Sequence, residues 1–206
     1  MANKLKFERN EVVRTAGQLF WQKGFNATST RDLQNATNMR PGSIYAAFGS
    51  KEGLYCEALK DYAQLMEGQL SQAINEHNCV LDGLASFVTR VLIEDADCAP
   101  SRLCMLIKAN NEFTQNEPAL KVLSVDLANE FEAFLTALFK QAQHQNELST
   151  DLSALEYARY FQIQFTGLRS YLNRPDTQAL ASALIVIGIF IASMGIWQVF
   201  SGIKLW

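Results

Sequence analysis

A chain of 206 residues, 49% hydrophobic and 19% charged, is long enough for one ordinary core or two small domains and too apolar to stay unfolded. Its net charge of −3 averages over a split: residues 1–60 hold nine Lys and Arg against five acids, net +4, and residues 61–206 hold nine against sixteen, net −7. That asymmetry excludes a uniformly acidic surface and points to a basic module joined to an acidic one.

The start of the chain carries Lys4, Lys6, Glu8 and Arg9 where a signal peptide has its apolar core, so the N-terminal part is expected in the cytoplasm. A first helix is expected over about 7–23, with Val12, Val13, Ala16, Leu19 and Phe20 on one stripe and Gly24 as the left-handed residue that closes it. Ser29 and Asp32 have the spacing of a capping box and open a second helix that ends near Ala36. Asn38 tolerates a left-handed turn, and Pro41 suits the first position of a third helix.

From Arg40 to Leu59 the chain reads RPGSIYAAFGSKEGLYCEAL, and Gly49-Ser50 leaves the third helix only about two turns. So short a helix is unstable alone in water and depends on its neighbours. Two short helices around a tight turn form a helix-turn-helix, whose second helix enters the DNA major groove. Seven or eight residues at 1.5 Å rise each suffice to cross a groove ~12 Å wide. Ile44 and Phe48, four apart, are expected to pin that helix from behind.

Ser50 caps a longer helix over about 51–77, with Leu54, Ala58, Leu59, Tyr62, Leu65, Met66, Leu70 and Ile74 in its apolar pattern. Further helices are expected near 80–95, 102–114, 118–145, 152–173 and 176–200, joined by DADCAPS, TQNEP, NELSTD and NRPD. No alternating strand run competes, so the fold class is all-α with about nine helices.

Several side chains of the basic module have the chemistry of a DNA interface. Lys51 is a cation in the first turn of a helix, which opposes the macrodipole at a cost of up to ~1 kcal/mol, so something negative is expected against it; a DNA phosphate fits. Ser43 and the Tyr45 hydroxyl are phosphate-positioning groups, and Gly42 leaves room for backbone to approach a duplex. Arg31 and Arg40 can pair two-pronged with guanine. Tyr45 also has the plainer reading of a half-buried core aromatic, and Lys51 that of an ordinary surface lysine.

The stretch TSTRDLQNATNMRPGSIYAAFGSKEGLYCEAL closely resembles the DNA-binding segment of the tetracycline-repressor (TetR) family, with its G-S-I/L-Y, following aromatic and S-K-E. By that resemblance Thr30, Ser43, Tyr45 and Lys51 fall on phosphate contacts, and Arg31, Arg40, Pro41 and Gly42 fall where members touch bases or groove walls. Asn38-Met39 stands where most members have Gly-Val, and Ala47 where many have a polar residue, so the operator sequence does not carry over.

The resemblance further implies a homodimeric repressor on a palindromic operator, released by a small-molecule effector. Its DNA-binding domain covers 1–50, the 51–77 helix links the domains, and a ligand-binding and dimerisation domain covers 51–206. SRLCMLIKANNEF resembles a cysteine-containing sixth helix of one branch, with Cys104 at the cysteine position. Phe113, Phe131, Phe134, Phe161 and Phe165 recur at helical spacing and either line a cavity or form plain core.

Cys98 and Cys104 make redox or electrophile sensing thinkable, while an apolar helix face favours buried, inert thiols. His77 and Cys79 are two possible metal ligands without partners. No nucleophile elbow, zinc-protease or phosphate-loop motif occurs, so no cofactor, metal or enzyme activity is expected.

Thr177 to Ile203 contains no charged residue and exceeds the ~20 residues that cross a bilayer. Gly188, Ala192 and Gly195 form a small-residue stripe that lets another helix approach. This segment is either a dimer helix buried on every side or a C-terminal membrane anchor. The other reading open at this point is a helical small-molecule-binding protein without DNA binding.

Overall fold

The computed structural model describes residues 2–96, 98–174 and 177, and among them every regular element is helical. The helices are α1 (Ala2–Lys23), α2 (Thr30–Thr37), α3 (Pro41–Phe48), α4 (Lys51–Asn75), α5 (Val80–Thr89), α6 (Met105–Glu112), α7 (Pro118–His144) and α8 (Ala154–Tyr171), with a π-helical turn, Arg90–Glu94, continuing α5. The segment from Gln178 onward, with Gly188, Ala192 and Gly195 and both readings of the uncharged tail, lies outside the described residues. Among the described residues no helix is long and apolar enough to cross a membrane.

Local signals place most boundaries. Gly24 at φ +89° closes α1, and its amide bonds the Phe20 carbonyl at 2.7 Å. Ser29 and Asp32 form the full capping box at the start of α2, and Asn38 turns the chain at φ 53°. Pro41 occupies the first turn of α3. A second capping box, Ser153 with Glu156, opens α8.

α6 begins later than its apolar pattern suggests. The Leu103 carbonyl accepts the Trp21 indole N–H at 2.6 Å, and the Arg102 carbonyl accepts Arg169 Nε at 2.5 Å. Those carbonyls face side chains instead of a following helical turn, and the ladder starts only where Lys108 N bonds Cys104 O.

The chain divides into two compact units: residues up to Met66 together with Leu103–Asn129, and residues 67–102 together with those from 130 onward. The division differs from a boundary at residue 50, because most of α4, all of α6 and the start of α7 belong with the first three helices.

The first unit is built on Phe20, Leu33, Ile44, Leu54, Tyr55 and Leu59, all under 3% exposed. Phe20, Phe25, Tyr55 and Phe113 make edge-to-face or tilted pairs at 4.9–6.2 Å, the geometry aromatic quadrupoles favour. Burial pushes the Tyr55 hydroxyl well above its usual range.

In the second unit Phe139 meets Tyr157 and Phe161, and Phe165 meets Phe161 and Phe87, at 5.8–6.0 Å. The Glu147 carboxylate accepts the Val80 and Leu81 amides at 2.9 and 3.0 Å and so caps α5.

Gly83 sits where α5 crosses α4. A Cβ there would lie 2.6 Å from Ile74 Cα and 3.0 Å from the Ala73 carbonyl, so the two backbones must part to admit it. Gly83→Ala is expected to lower stability by about 1–3 kcal/mol. Gly68→Ala, where nothing lies within 4 Å, should raise it by about 0.5–1 kcal/mol through helix propensity. Paired denaturation midpoints check both signs.

Candidate nucleic-acid interface

α3 is held from behind and left bare in front. Ile44 and Phe48 are buried against the unit's core, while Gly42, Ser43, Tyr45, Ala46 and Ala47 face solvent. From α1, Arg9 lies over the Phe48 ring at 4.4 Å, donates to the Ala47 carbonyl at 3.2 Å and pairs with Glu57. A guanidinium on the last carbonyls of a helix suits its dipole, which fixes the end of a helix too short to hold itself.

Of the sequence-derived contact residues, Thr30 on α2 and Tyr45 on α3 come together. The Thr30 and Tyr45 hydroxyls are 3.2 Å apart and hydrogen-bonded. Tyr45 is 43% exposed, which rules out the core-aromatic reading. Arg31 and Arg40 are exposed, and among the described residues no hydrogen bond or ion pair engages either side chain. A Cβ on Gly42 would meet nothing within 4 Å, so the protein's own packing does not require glycine there.

Lys51 is placed differently from its sequence rationale. Its ammonium donates to the Phe25 and Thr28 carbonyls at 2.9 and 3.0 Å and lies 4.0 Å from the Phe25 ring centroid. The negative potential that the helix dipole demands comes from the α1–α2 turn within the same unit. Thr28, fully buried, donates its hydroxyl to the Gly24 carbonyl at 2.6 Å and closes that turn.

The Asp32 carboxylate accepts from the Ser29 hydroxyl, from Lys23 and from the Ser29 amide, which together hold it far below the usual carboxylate range. A depressed folded-state value means its contribution to stability is fully present above the unfolded value of about 4 and is lost as pH falls below it. Wild type should therefore melt higher than Asp32→Asn at neutral pH, by a difference that stays level down to about pH 4 and shrinks below it. A melting series across pH 2–7 measures this.

The proposed ligand-cavity residues divide between the two units. Phe113, 2% exposed, belongs to the first unit's aromatic core, while Phe161 and Phe165 stack in the second. Phe131 and Phe134 form a separate tilted pair at 6.4 Å.

Cys104 precedes α6, half-buried, and its Sγ accepts the Tyr62 hydroxyl at 3.4 Å. All four cysteines are free thiols, and burial pushes those of Cys56 and Cys79 up. The second unit has a shallow open recess, with room for little more than a water molecule, lined by Val91, Leu92, Ala96, Ala99, Arg102 and Arg169 beside the π turn. Among the described residues no group of three or more His, Cys, Asp or Glu could hold a metal.

This geometry matches known proteins. Residues 12–58 match "Bacterial regulatory proteins, tetR family". Over that segment the chain resembles the tetR family of regulators. It is 33% identical over 97 residues to the HTH-type transcriptional repressor ComR of Escherichia coli, covering 47% of this chain and 44% of ComR. To the HTH-type transcriptional repressor BdcR of the same organism it is 40% identical over 57 residues, 28% of this chain and 29% of BdcR. These matches span less than half the length of either relative.

A cysteine mutant of the TetR-family transcriptional regulator CifR, solved with 26-bp double-strand operator DNA, has the same fold: TM-score 0.77 at 22% identity, over 87% of this chain and 93% of that one. In this chain Arg9, Lys108 and Glu112 tie α1, the α1–α2 turn and the end of α3 in place. Sequence patterns gave no sign of them, since their partners are backbone groups or side chains 38 to 87 positions away.

Proposed function

We propose that this chain is a homodimeric transcriptional repressor that binds a roughly palindromic DNA operator through α2 and α3 and leaves it when a small apolar or amphipathic molecule enters the second unit. The observation that carries the reading is the Thr30–Tyr45 hydroxyl pair. Two hydrogen-bonded hydroxyls, one on each short helix, stand on a face whose back is pinned and whose front has no partner among the described residues. Groups of this kind fix register on a phosphate backbone.

Arg31 and Arg40, both exposed, are the base readers, Pro41 and Gly42 meet the groove wall, and Ser43 joins the phosphate contacts. The third N–H of Lys51, beyond the two given to Phe25 and Thr28, is directed to a phosphate. The similarity to the repressors ComR and BdcR, and to CifR with its bound operator DNA, supports the same reading. Leu155, Ile163 and Tyr171, apolar and exposed on α8, support a helix-to-helix dimer, with Ile163 68% exposed. Two α3 helices then stand about one turn of DNA apart, ~34–36 Å.

The test is selection of random duplexes by the purified chain, followed by titration of the enriched sequence. A palindrome with half-sites about 10 base pairs apart is expected. No enrichment, and no retarded duplex even in dilute salt, is the result that refutes it.

A further inference from the structure

The turn that carries the DNA-facing start of α2 is gripped by a helix more than 70 residues away in sequence. Lys108 of α6 donates to the Trp21 and Gln22 carbonyls at 2.5 and 3.1 Å, in the last turn of α1. Four residues on, Glu112 receives the Phe25 amide at 3.0 Å and the Asn26 amide at 2.7 Å, one on each carboxylate oxygen. A cation thus sits on the carbonyls that end one helix, and an anion sits on the free amides just beyond it.

The i, i+4 spacing puts both charges on one face of α6. Trp21 adds a third tie through its indole N–H to the Leu103 carbonyl and packs edge-on to Tyr62 at 5.0 Å. Gly24, between the gripped carbonyls and amides, has both Glu112 oxygens 3.1 Å from where its Cβ would be.

We infer that Lys108 and Glu112 are positioning residues for operator binding: they set the α1–α2 turn, and through it the Thr30–Tyr45 pair, without touching DNA. The route is short. Phe25 and Asn26 hang on Glu112, Phe25 and Thr28 offer their carbonyls to Lys51, Ser29 caps α2, and Thr30 is the first residue of that helix. Lys51 and Glu112 therefore hold opposite polarities of the same peptide segment. A shift of α6 along its axis moves that segment as a body, and phosphate-directed hydroxyls lose their bonds when displaced by about an ångström. The inference rests on the DNA-binding reading above.

The experiment uses the full chain and the duplex enriched by selection. Glu112→Gln keeps the shape of the side chain but turns one acceptor into a donor facing an N–H; Lys108→Met keeps the stem and removes the charge. Each is expected to weaken operator binding about tenfold, with the salt slope unchanged because no phosphate contact is deleted. Amide exchange at residues 25 and 26 is expected to quicken. Lys108→Arg should restore affinity, since a guanidinium also reaches two carbonyls.

Faster exchange at 25 and 26 with operator affinity within twofold of wild type overturns the inference, leaving the clamp a stability device seen only in the melting temperature. If Glu112→Gln does not fold, Lys108→Met and its arginine counterpart decide. A wild-type chain that binds no duplex fails the functional reading and this inference together, whereas intact wild-type binding with indifferent variants fails the inference alone.

Discussion

Replacing Arg40 with alanine is expected to weaken operator binding five- to hundredfold, about 1–3 kcal/mol, and to relax the base preference at one position of each half-site. Arg40 is the residue before α3, in extended backbone at φ −73° and ψ 151°, with no capping bond from its side chain. It therefore stands at the N-terminal end of the helix proposed to enter the groove, where recognition helices reach base edges. Its guanidinium is exposed and engaged by no other described residue, so its donors need not be released from a partner before they meet a guanine. For the same reason the folded state should barely notice its loss, within about 0.5 kcal/mol. A base reader and a phosphate contact separate cleanly. Repeating the duplex selection with the variant should show one relaxed position and an unchanged salt slope. Uniform weakening over all duplexes, with a slope reduced by about one unit per half-site, would assign Arg40 to the backbone instead.

What could be read in the sequence was what the chain decides locally. A capping box spans four residues, a left-handed asparagine spans one, and the Ile44–Phe48 pair spans one helical turn; Ser29, Asp32, Asn38 and the buried back of α3 are all found as the pattern implied. Aromatic spacing was less informative. It marked Phe113 as inward-facing but could not say into which core, because helical period specifies a face and not its partner. Phe113 packs on Phe25 and Tyr55 in the unit that holds the reading head.

The clamp was illegible for a further reason. Lys108 and Glu112 bind backbone carbonyls and amides, which every sequence supplies everywhere, so no complementary residue type betrays them. The domain boundary shares this origin. Residues 103–129 join the first unit through such long-range contacts, not through any change of composition near residue 50.

Lys51 lies between these cases, and its substitution tests how one residue serves two ends. The dipole argument identified it from sequence as a cation in need of a negative partner, and two carbonyls and a ring meet that need. Two charge-assisted hydrogen bonds on a half-exposed group outweigh the ~1 kcal/mol cost of a cation at a helix start, so Lys51→Ala is expected to lower stability by about 2–3 kcal/mol. An ammonium has three N–H groups. Two are committed to the turn, and the proposed contact of the third with a phosphate requires the operator salt slope to fall by about 0.9 per half-site in the same variant. The readouts are independent: denaturation reports the brace, and the slope reports the phosphate. A stability loss with an unaltered slope would make Lys51 a brace for the α1–α2 turn alone, a partner to Glu112 on the same peptide segment. A reduced slope places the ammonium between the protein's carbonyls and the DNA's phosphate, so that binding DNA itself tightens the turn on which α2 begins.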